Sequence, residues 1–149
     1  MDGKPLLCYT GRMGNVYAEI TIKNSGDVTN AGRGIIADRD IRSLTVTALV
    51  DTGATTLVIN EGMCQQLGLS IEKTSTASLV GGQKAICKIT EPVRIIWKDR
   101  DTVCRAWVLP GEDEALLGVI PLEDMDLLVD PRRNELIGAH GDIVMGRIK

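Results

Sequence analysis

The sequence is poor in aromatic residues: its 149 residues include no phenylalanine, two tryptophans and two tyrosines. Proteins that bind single-stranded nucleic acids stack bases on aromatic side chains, and proteins that bind duplexes carry a basic surface. The formal net charge here is −3, and acidic and basic residues are interspersed along the chain. The composition therefore predicts that nucleic acid is not a partner.

Long apolar runs are also lacking. No stretch approaches the ~20 apolar residues that span a bilayer. The first fourteen residues lack the apolar centre of a secretory signal, since their longest apolar run is Leu6-Leu7-Cys8-Tyr9. We therefore expect a soluble, cytoplasmic protein that has no membrane partner.

Metal-ligating residues are few and widely spaced. The chain has one histidine, His140, and its four cysteines, Cys8, Cys64, Cys87 and Cys104, form no Cys-x-x-Cys pair. A zinc site normally draws on clustered cysteine and histidine ligands. The sequence thus predicts no metal and no cofactor, and it predicts reduced, mostly buried thiols.

The residues that are present favour a single globular domain. Apolar residues make up 44% of the chain and charged residues 25%, both near the globular average. No composition shift marks a linker, so we expect one domain over residues 1–149 with a core from about 16 to 137. Many short apolar segments separated by turn residues are typical of an all-β fold, closed or nearly so, with one or two short helices.

Hydrophobic alternation and turn residues predict the individual elements. A turn at residues 24–27 and a loop to residue 40 separate the first two strands. Asn60 is predicted to cap a helix over residues 61–67, and a second short helix is predicted near 121–125. The predicted strands cover residues 16–23, 41–50, 56–59, 77–80, 85–89, 93–97, 104–109, 115–118, 127–129 and 135–137.

The run Asp51-Thr52-Gly53 lies between two strongly apolar strands. An unpaired carboxylate is costly in such surroundings, which makes Asp51 a candidate functional residue. Gly53 permits close backbone approach and Thr52 supplies a hydroxyl that can fix a neighbouring loop. The alternative is a turn in which the Asp51 carboxylate caps its own loop, as Asp-x-Gly often does. A second apolar-apolar-Gly element, Leu116-Leu117-Gly118, recurs downstream and favours the functional interpretation.

Three features, in this order, resemble the retropepsin-like (clan AA) aspartic proteases of retroviruses and their bacterial and cellular relatives. The first is Asp51-Thr52-Gly53-Ala54, which matches the catalytic motif of that family. The second is a glycine-tipped hairpin at Gly81-Gly82, where the family has a flap over the substrate. The third is Leu116-Leu117-Gly118 followed by a short helix. The resemblance extends from about residue 16 to residue 137 and implies the retropepsin-like half-barrel.

The resemblance also implies a mechanism and roles for residues. Because the chain has one Asp-Thr-Gly motif, the active site is expected at the two-fold axis of a homodimer, with Asp51 from each subunit as the catalytic residue. The substrate is then a peptide or protein, hydrolysed by an aspartic endopeptidase. The implied supporting residues are Thr52, Gly53 and Ala54 in the active-site loop, Val80, Gly81 and Gly82 in the flap, and Leu116, Leu117 and Gly118 in the second signature.

The sequence departs from the viral pattern in two places. Thr55 and Thr56 stand where viral enzymes often carry acidic residues, and Val119 stands where they often carry arginine. Viral cleavage specificity therefore does not transfer to this chain.

Two other functions also use an aspartate or a fold of this kind. Phosphotransferases with an aspartyl-phosphate nucleophile need a second acid or a lysine near it and Mg²⁺ ligands further on, and the strand-rich pattern here lacks their alternating helices. The stronger alternative is a catalytically weak or inactive dimeric protein-binding module on the same fold, because a fold alone does not determine function.

Overall fold

The structure, a computed structural model, describes residues 15–79 and 81–141. No helix in these two ranges is long and apolar enough to cross a membrane. The strands are β1 (Tyr17–Asn24), β2 (Ser43–Val50), β3 (Leu57–Ile59), β4 (Ile71–Ser78), β5 (Lys84–Trp97), β6 (Arg100–Val108), β7 (Leu116–Leu117), β8 (Leu127–Asp130) and β9 (Glu135–Gly138). The helices are α1 (Ser25–Gly32), α2 (Glu61–Gln66) and α3 (Val119–Asp124), and a 3₁₀ turn covers Asp38–Asp40.

Seven strands form one sheet in the order β1-β2-β7-β3-β6-β5-β4, and β1 also pairs with β5. Six strands therefore close into a ring, from which β4 extends on the first half of β5. Strands β8 and β9 form a separate antiparallel hairpin. The predicted all-β class is confirmed.

Strand β5 is 14 residues long and covers two predicted strands. Its first half pairs with β4 and its second half with β1. Its register against β6 shifts between Ile89 and Pro92. A proline has no N–H to give to the ladder and is tolerated at such an irregularity, so the chain continues as one strand where the sequence indicated two.

The loop predicted after β1 is wrong in part, because Ser25–Gly32 is a helix. The described residues contain three short α-helices, where the sequence predicted one or two. Asn24 begins α1 by accepting a hydrogen bond from the N–H of Asp27 at 3.1 Å. Its side-chain amide also donates to the carbonyl of Leu67 at 2.9 Å. The Asp27 carboxylate is buried and accepts from the Arg42 guanidinium at 2.8 and 2.9 Å. These partners lie far along the chain, so the local sequence did not reveal them.

The apolar interior has two parts. The main cluster fills the ring of strands and includes Ile20, Ile22, Ile95 and Leu117. A second cluster consists of Val58, Ala77, Cys87 and Leu109, against which Ala54, Trp107 and Leu116 pack. We call it the hairpin cluster, because it joins the tip-side half of the β4–β5 hairpin to the segment that follows Asp51.

Candidate active site

Asp51 directly follows β2 and is held by its own loop. Its N–H donates to the Leu117 carbonyl at 3.0 Å, and its carbonyl accepts from the N–H of Ala54 at 3.0 Å. Oδ1 accepts from the N–H of Gly53 at 2.8 Å. Within the described residues no hydrogen bond engages Oδ2. The half-buried carboxylate is thus oriented through one oxygen while the other remains available.

The second apolar-Gly element lies beside this loop. Strand β7 pairs parallel to β2, with Val50 opposite Leu117, and antiparallel to β3, with Leu57 opposite the same residue. Beyond β7, the N–H of Val119 donates to the Ala54 carbonyl at 2.9 Å, and the N–H of Ile120 donates to the Thr55 carbonyl at 2.9 Å. The two motifs, 65 residues apart in sequence, are therefore joined through their backbones.

Gly118 occupies the point of closest approach. A Cβ built at this position would lie 2.5 Å from the Ala54 carbonyl oxygen and would also overlap the Thr56 carbonyl oxygen. Both neighbours are backbone atoms that are fixed by strands and by the contacts above. Glycine is thus required at position 118 for steric reasons, independently of any role in catalysis.

The residues around Asp51 differ in exposure. Thr52, Gly53 and Thr55 are exposed, whereas Ala54 is half-buried against the hairpin cluster. Thr56 is buried, and its hydroxyl donates to the Arg105 carbonyl at 3.1 Å. Exposed small and polar residues thus lie next to an oriented carboxylate.

The predicted hairpin is present, and Leu79 and Gln83 lie on either side of its tip. The N–H of Leu79 donates to the Gln83 carbonyl at 2.7 Å, and the N–H of Gly82 donates to the Leu79 carbonyl at 3.1 Å. Gly81 and Gly82 have φ values of +89° and +82°, which glycine adopts without strain. Val80, which the sequence also assigned to the flap, lies outside the described residues.

The tip-side half of the β4–β5 hairpin contacts the Asp51 segment through two residues that sequence reasoning did not assign to the site. Ala77 of β4 and Cys87 of β5 pack with Val58 of β3 in the hairpin cluster. Burial raises the pKa of the Cys87 thiol, which keeps it protonated. The sequence placed both residues in predicted strands, over 77–80 and 85–89, but it did not indicate which residues they face.

Among the described residues, no group of three or more His, Cys, Asp or Glu side chains could hold a metal ion. The chemistry available at the site is that of the Asp51 carboxylate, neighbouring hydroxyls and backbone N–H groups. Such groups support proton transfer to and from a bound water or substrate.

Comparison with solved structures shows the fold. The EIAV protease in complex with the inhibitor HBY-793 matches with a TM-score of 0.51 and 21% sequence identity, over 74% of this chain and 88% of that protein. Curated protein sequences gave no significant match. The predicted retropepsin-like fold is thereby confirmed.

A family model described as "gag-polyprotein putative aspartyl protease" matches residues 37–124. The matched region contains Asp51-Thr52-Gly53, the glycine-tipped hairpin and Leu116-Leu117-Gly118. It covers well over half of the 149 residues. The chain therefore belongs to the gag-polyprotein aspartyl protease family.

Proposed function

We propose that the protein is an aspartic endopeptidase that acts as a homodimer, with one Asp51 from each subunit in a shared active site. The observation that carries this proposal is the hydrogen bonding of the two Asp51 carboxylate oxygens. Its Oδ1 is fixed by the Gly53 N–H at 2.8 Å, and its Oδ2 has no hydrogen bond within the described residues. The loop that carries it is held in place by the packing around Gly118.

The homodimer follows from the number of carboxylates that the reaction requires. Peptide hydrolysis by this chemistry needs one carboxylate as base and another as acid, and the sequence has one Asp-Thr-Gly motif. Thr52, Gly53 and Thr55 are exposed beside Asp51 and provide a surface on which a second copy would pack. In a two-fold symmetric contact the same patch meets itself, which brings the two Asp51 residues together.

Two carboxylates that meet at the two-fold axis repel each other when both are ionised, so the pair shares one proton. The ionised carboxylate removes a proton from a bound water, whose oxygen attacks the carbonyl carbon of the substrate. The protonated carboxyl gives its proton to the carbonyl oxygen, and a tetrahedral diol results. Transfer of a proton to the amide nitrogen then breaks the C–N bond, leaving a carboxyl group and an amine without any covalent enzyme intermediate.

The neighbouring residues have supporting roles in this proposal. Thr52 hydrogen-bonds across the dimer axis and keeps the two loops coplanar. Gly53 and Ala54 let the substrate backbone approach the carboxylates, and Leu116-Leu117-Gly118 supports the loop from below. The β4–β5 hairpin closes over the substrate through its glycine tip at Gly81 and Gly82, and Val80 is proposed to contact the substrate there.

The test is cleavage of a peptide library between about pH 4 and pH 7 by the wild type and by Asp51→Asn. We expect cleavage by the wild type and a loss of at least about 10³-fold in the variant, because the amide can act neither as base nor as acid. Binding of peptides without cleavage by either protein would contradict the proposal and favour the inactive dimeric protein-binding module. Cleavage that survives in Asp51→Asn would assign the activity to other residues.

A further inference from the structure

A groove of about 440 Å³ lies on the outer surface of the ring of strands. One wall is formed by the exposed face of β1, where Tyr17 and Glu19 alternate with the buried Ala18 and Ile20. The end of β5 and the first residues of β9 form the other walls. The volume falls within the ~300–1,000 Å³ range of small-ligand sites and accommodates one or two side chains.

The groove combines aromatic surface with exposed negative charge. Tyr17 is 45% exposed and Trp97 is half-buried, so both rings contribute to the lining. Glu19 and Glu135 are exposed and line the same space. Neither carboxylate has an ion-pair partner among the described residues. Aromatic rings and two exposed carboxylates that line one groove are suited to a cation with an apolar stem.

A cation of this chain already occupies part of that environment. The Lys98 Nζ lies 4.7 Å from the centroid of the Trp97 ring, within the range of a cation–π interaction. Lys98 belongs to the tight turn between β5 and β6 and is exposed. Its ammonium shows which chemistry the ring face accepts, and an exposed lysine is easily displaced by a ligand that also reaches the two glutamates.

We propose that this groove binds a lysine- or arginine-bearing segment of a protein partner. The basic head group would lie over Trp97 between Glu19 and Glu135, and the aliphatic stem would contact Tyr17 and Ile96. Strands β1 and β9 lie outside residues 37–124, which the family model matches. Asp51 and the residues of its loop do not line the groove, so binding there would not require the catalytic carboxylate.

The experiment measures fluorescence anisotropy of a fluorescein-labelled peptide, Gly-Leu-Arg-Leu-Arg-Leu-Gly amide, titrated with the full chain. The chain carries Asp51→Asn so that the peptide stays intact. A second peptide replaces both arginines by citrulline, which keeps the shape and removes the charge. We expect saturable binding of the arginine peptide and at least about tenfold weaker binding of the citrulline peptide, since each lost charge contact contributes several-fold.

Substitutions that should weaken peptide binding, and one that should strengthen it, test whether the peptide binds in the groove. Glu19→Gln together with Glu135→Gln should weaken binding about tenfold, and Trp97→Leu should weaken it about fivefold. Lys98→Asn should strengthen it about threefold, because it removes the competing ammonium. Asparagine tolerates the positive φ of +52° at this position. The matched control is Asp38→Asn with Glu123→Gln, which removes two exposed charges elsewhere.

Three outcomes would overturn the proposal. Equal weakening in the control pair would show a non-specific effect of net charge. Unchanged affinity in the Glu19/Glu135 variant would place the peptide in another part of the molecule. Binding of the citrulline peptide as tight as that of the arginine peptide would show that the groove does not select a cation. Each result is independent of whether the wild type cleaves peptides.

Discussion

At the scale of single residues, Gly118 is enclosed by backbone atoms of the Asp51 segment. Replacing it by alanine places a Cβ against the carbonyl oxygens of Ala54 and Thr56, both of them backbone atoms. We expect Gly118→Ala to lower the free energy of unfolding by about 3 kcal/mol, since overpacking against fixed backbone has no cheap relaxation. Urea denaturation measures this. Gly32→Ala is the control, because a Cβ there meets no atom within 4 Å; equal stability of the two variants would contradict the packing argument.

The ion pair between Asp27 and Arg42 makes a pH-dependent contribution to stability. Hydrogen bonding to Arg42 lowers the pKa of the Asp27 carboxyl below its ordinary value of 3.8. A carboxyl whose pKa is lowered by folding stabilises the fold above its unfolded-state pKa, and that stabilisation is lost as the pH falls through the folded-state pKa.

Accordingly, Arg42→Gln should reduce the free energy of unfolding by about 1–2 kcal/mol at pH 7, where the pair is fully charged. The difference from wild type should shrink progressively below pH 3.8. Denaturant titrations at several pH values measure it, with Arg39→Gln as the control because Arg39 is exposed and has no ion pair among the described residues. A difference that stays constant down to about pH 2 would show that the carboxylate charge is not involved.

At the scale of elements, substitutions at the tip of the β4–β5 hairpin should affect the proposed activity more than the stability of the fold. Gly82 has a φ of +82° and open space around it, and Gly34, in an exposed loop, has a φ of +76° and the same open surroundings. Alanine at either site should cost about 1 kcal/mol of unfolding free energy, because an L-residue is strained there. We expect Gly82→Ala to lose most peptide hydrolysis and Gly34→Ala to retain it. Equal activities would remove the hairpin tip from the catalytic proposal.

Elements with a local signal could be predicted, and those that depend on distant contacts could not. The alternation of β1 and β2 and the Asn60 cap of α2, where the N–H of Met63 donates to Asn60 Oδ1 at 2.8 Å, were predictable from neighbours in sequence. Asn24-Ser25-Gly26-Asp27 is compatible with a turn or with a helix start. Here the helix is selected by Leu67 and Arg42, which contact Asn24 and Asp27 from other elements.

At the scale of the whole molecule, the shared active site predicts how mixed subunits behave. Wild-type chains mixed with a ninefold excess of Asp51→Asn chains and allowed to exchange should retain about one tenth of their activity, since about nine in ten would pair with a variant. The readout is hydrolysis of a peptide from the library at fixed wild-type concentration. The control replaces the variant by an equal excess of an unrelated protein. Full activity in the mixture would mean that each chain works alone.

The candidate site was predictable to the extent that its residues are contiguous in sequence. Asp51-Thr52-Gly53 and Leu116-Leu117-Gly118 are each recognisable as short motifs, and a known family relates them. Their backbone contacts, the hairpin cluster around Val58 and the groove beside Trp97 arise from pairing between strands far apart in the chain. Alternation identifies an inward or outward face, but it does not give the strand order.

The continuity of β5 has a mechanical consequence. Its first half carries the hairpin, its second half is built into the wall beside β1, and its pairing with β6 is irregular between Ile89 and Pro92. Bending of the hairpin should therefore concentrate at that irregularity, while the second half of β5 stays fixed by its pairing with β1 and β6. Amide protons of residues 84–88 should exchange with solvent faster than those of residues 93–96, and a peptide inhibitor should slow the first group while leaving the second unchanged.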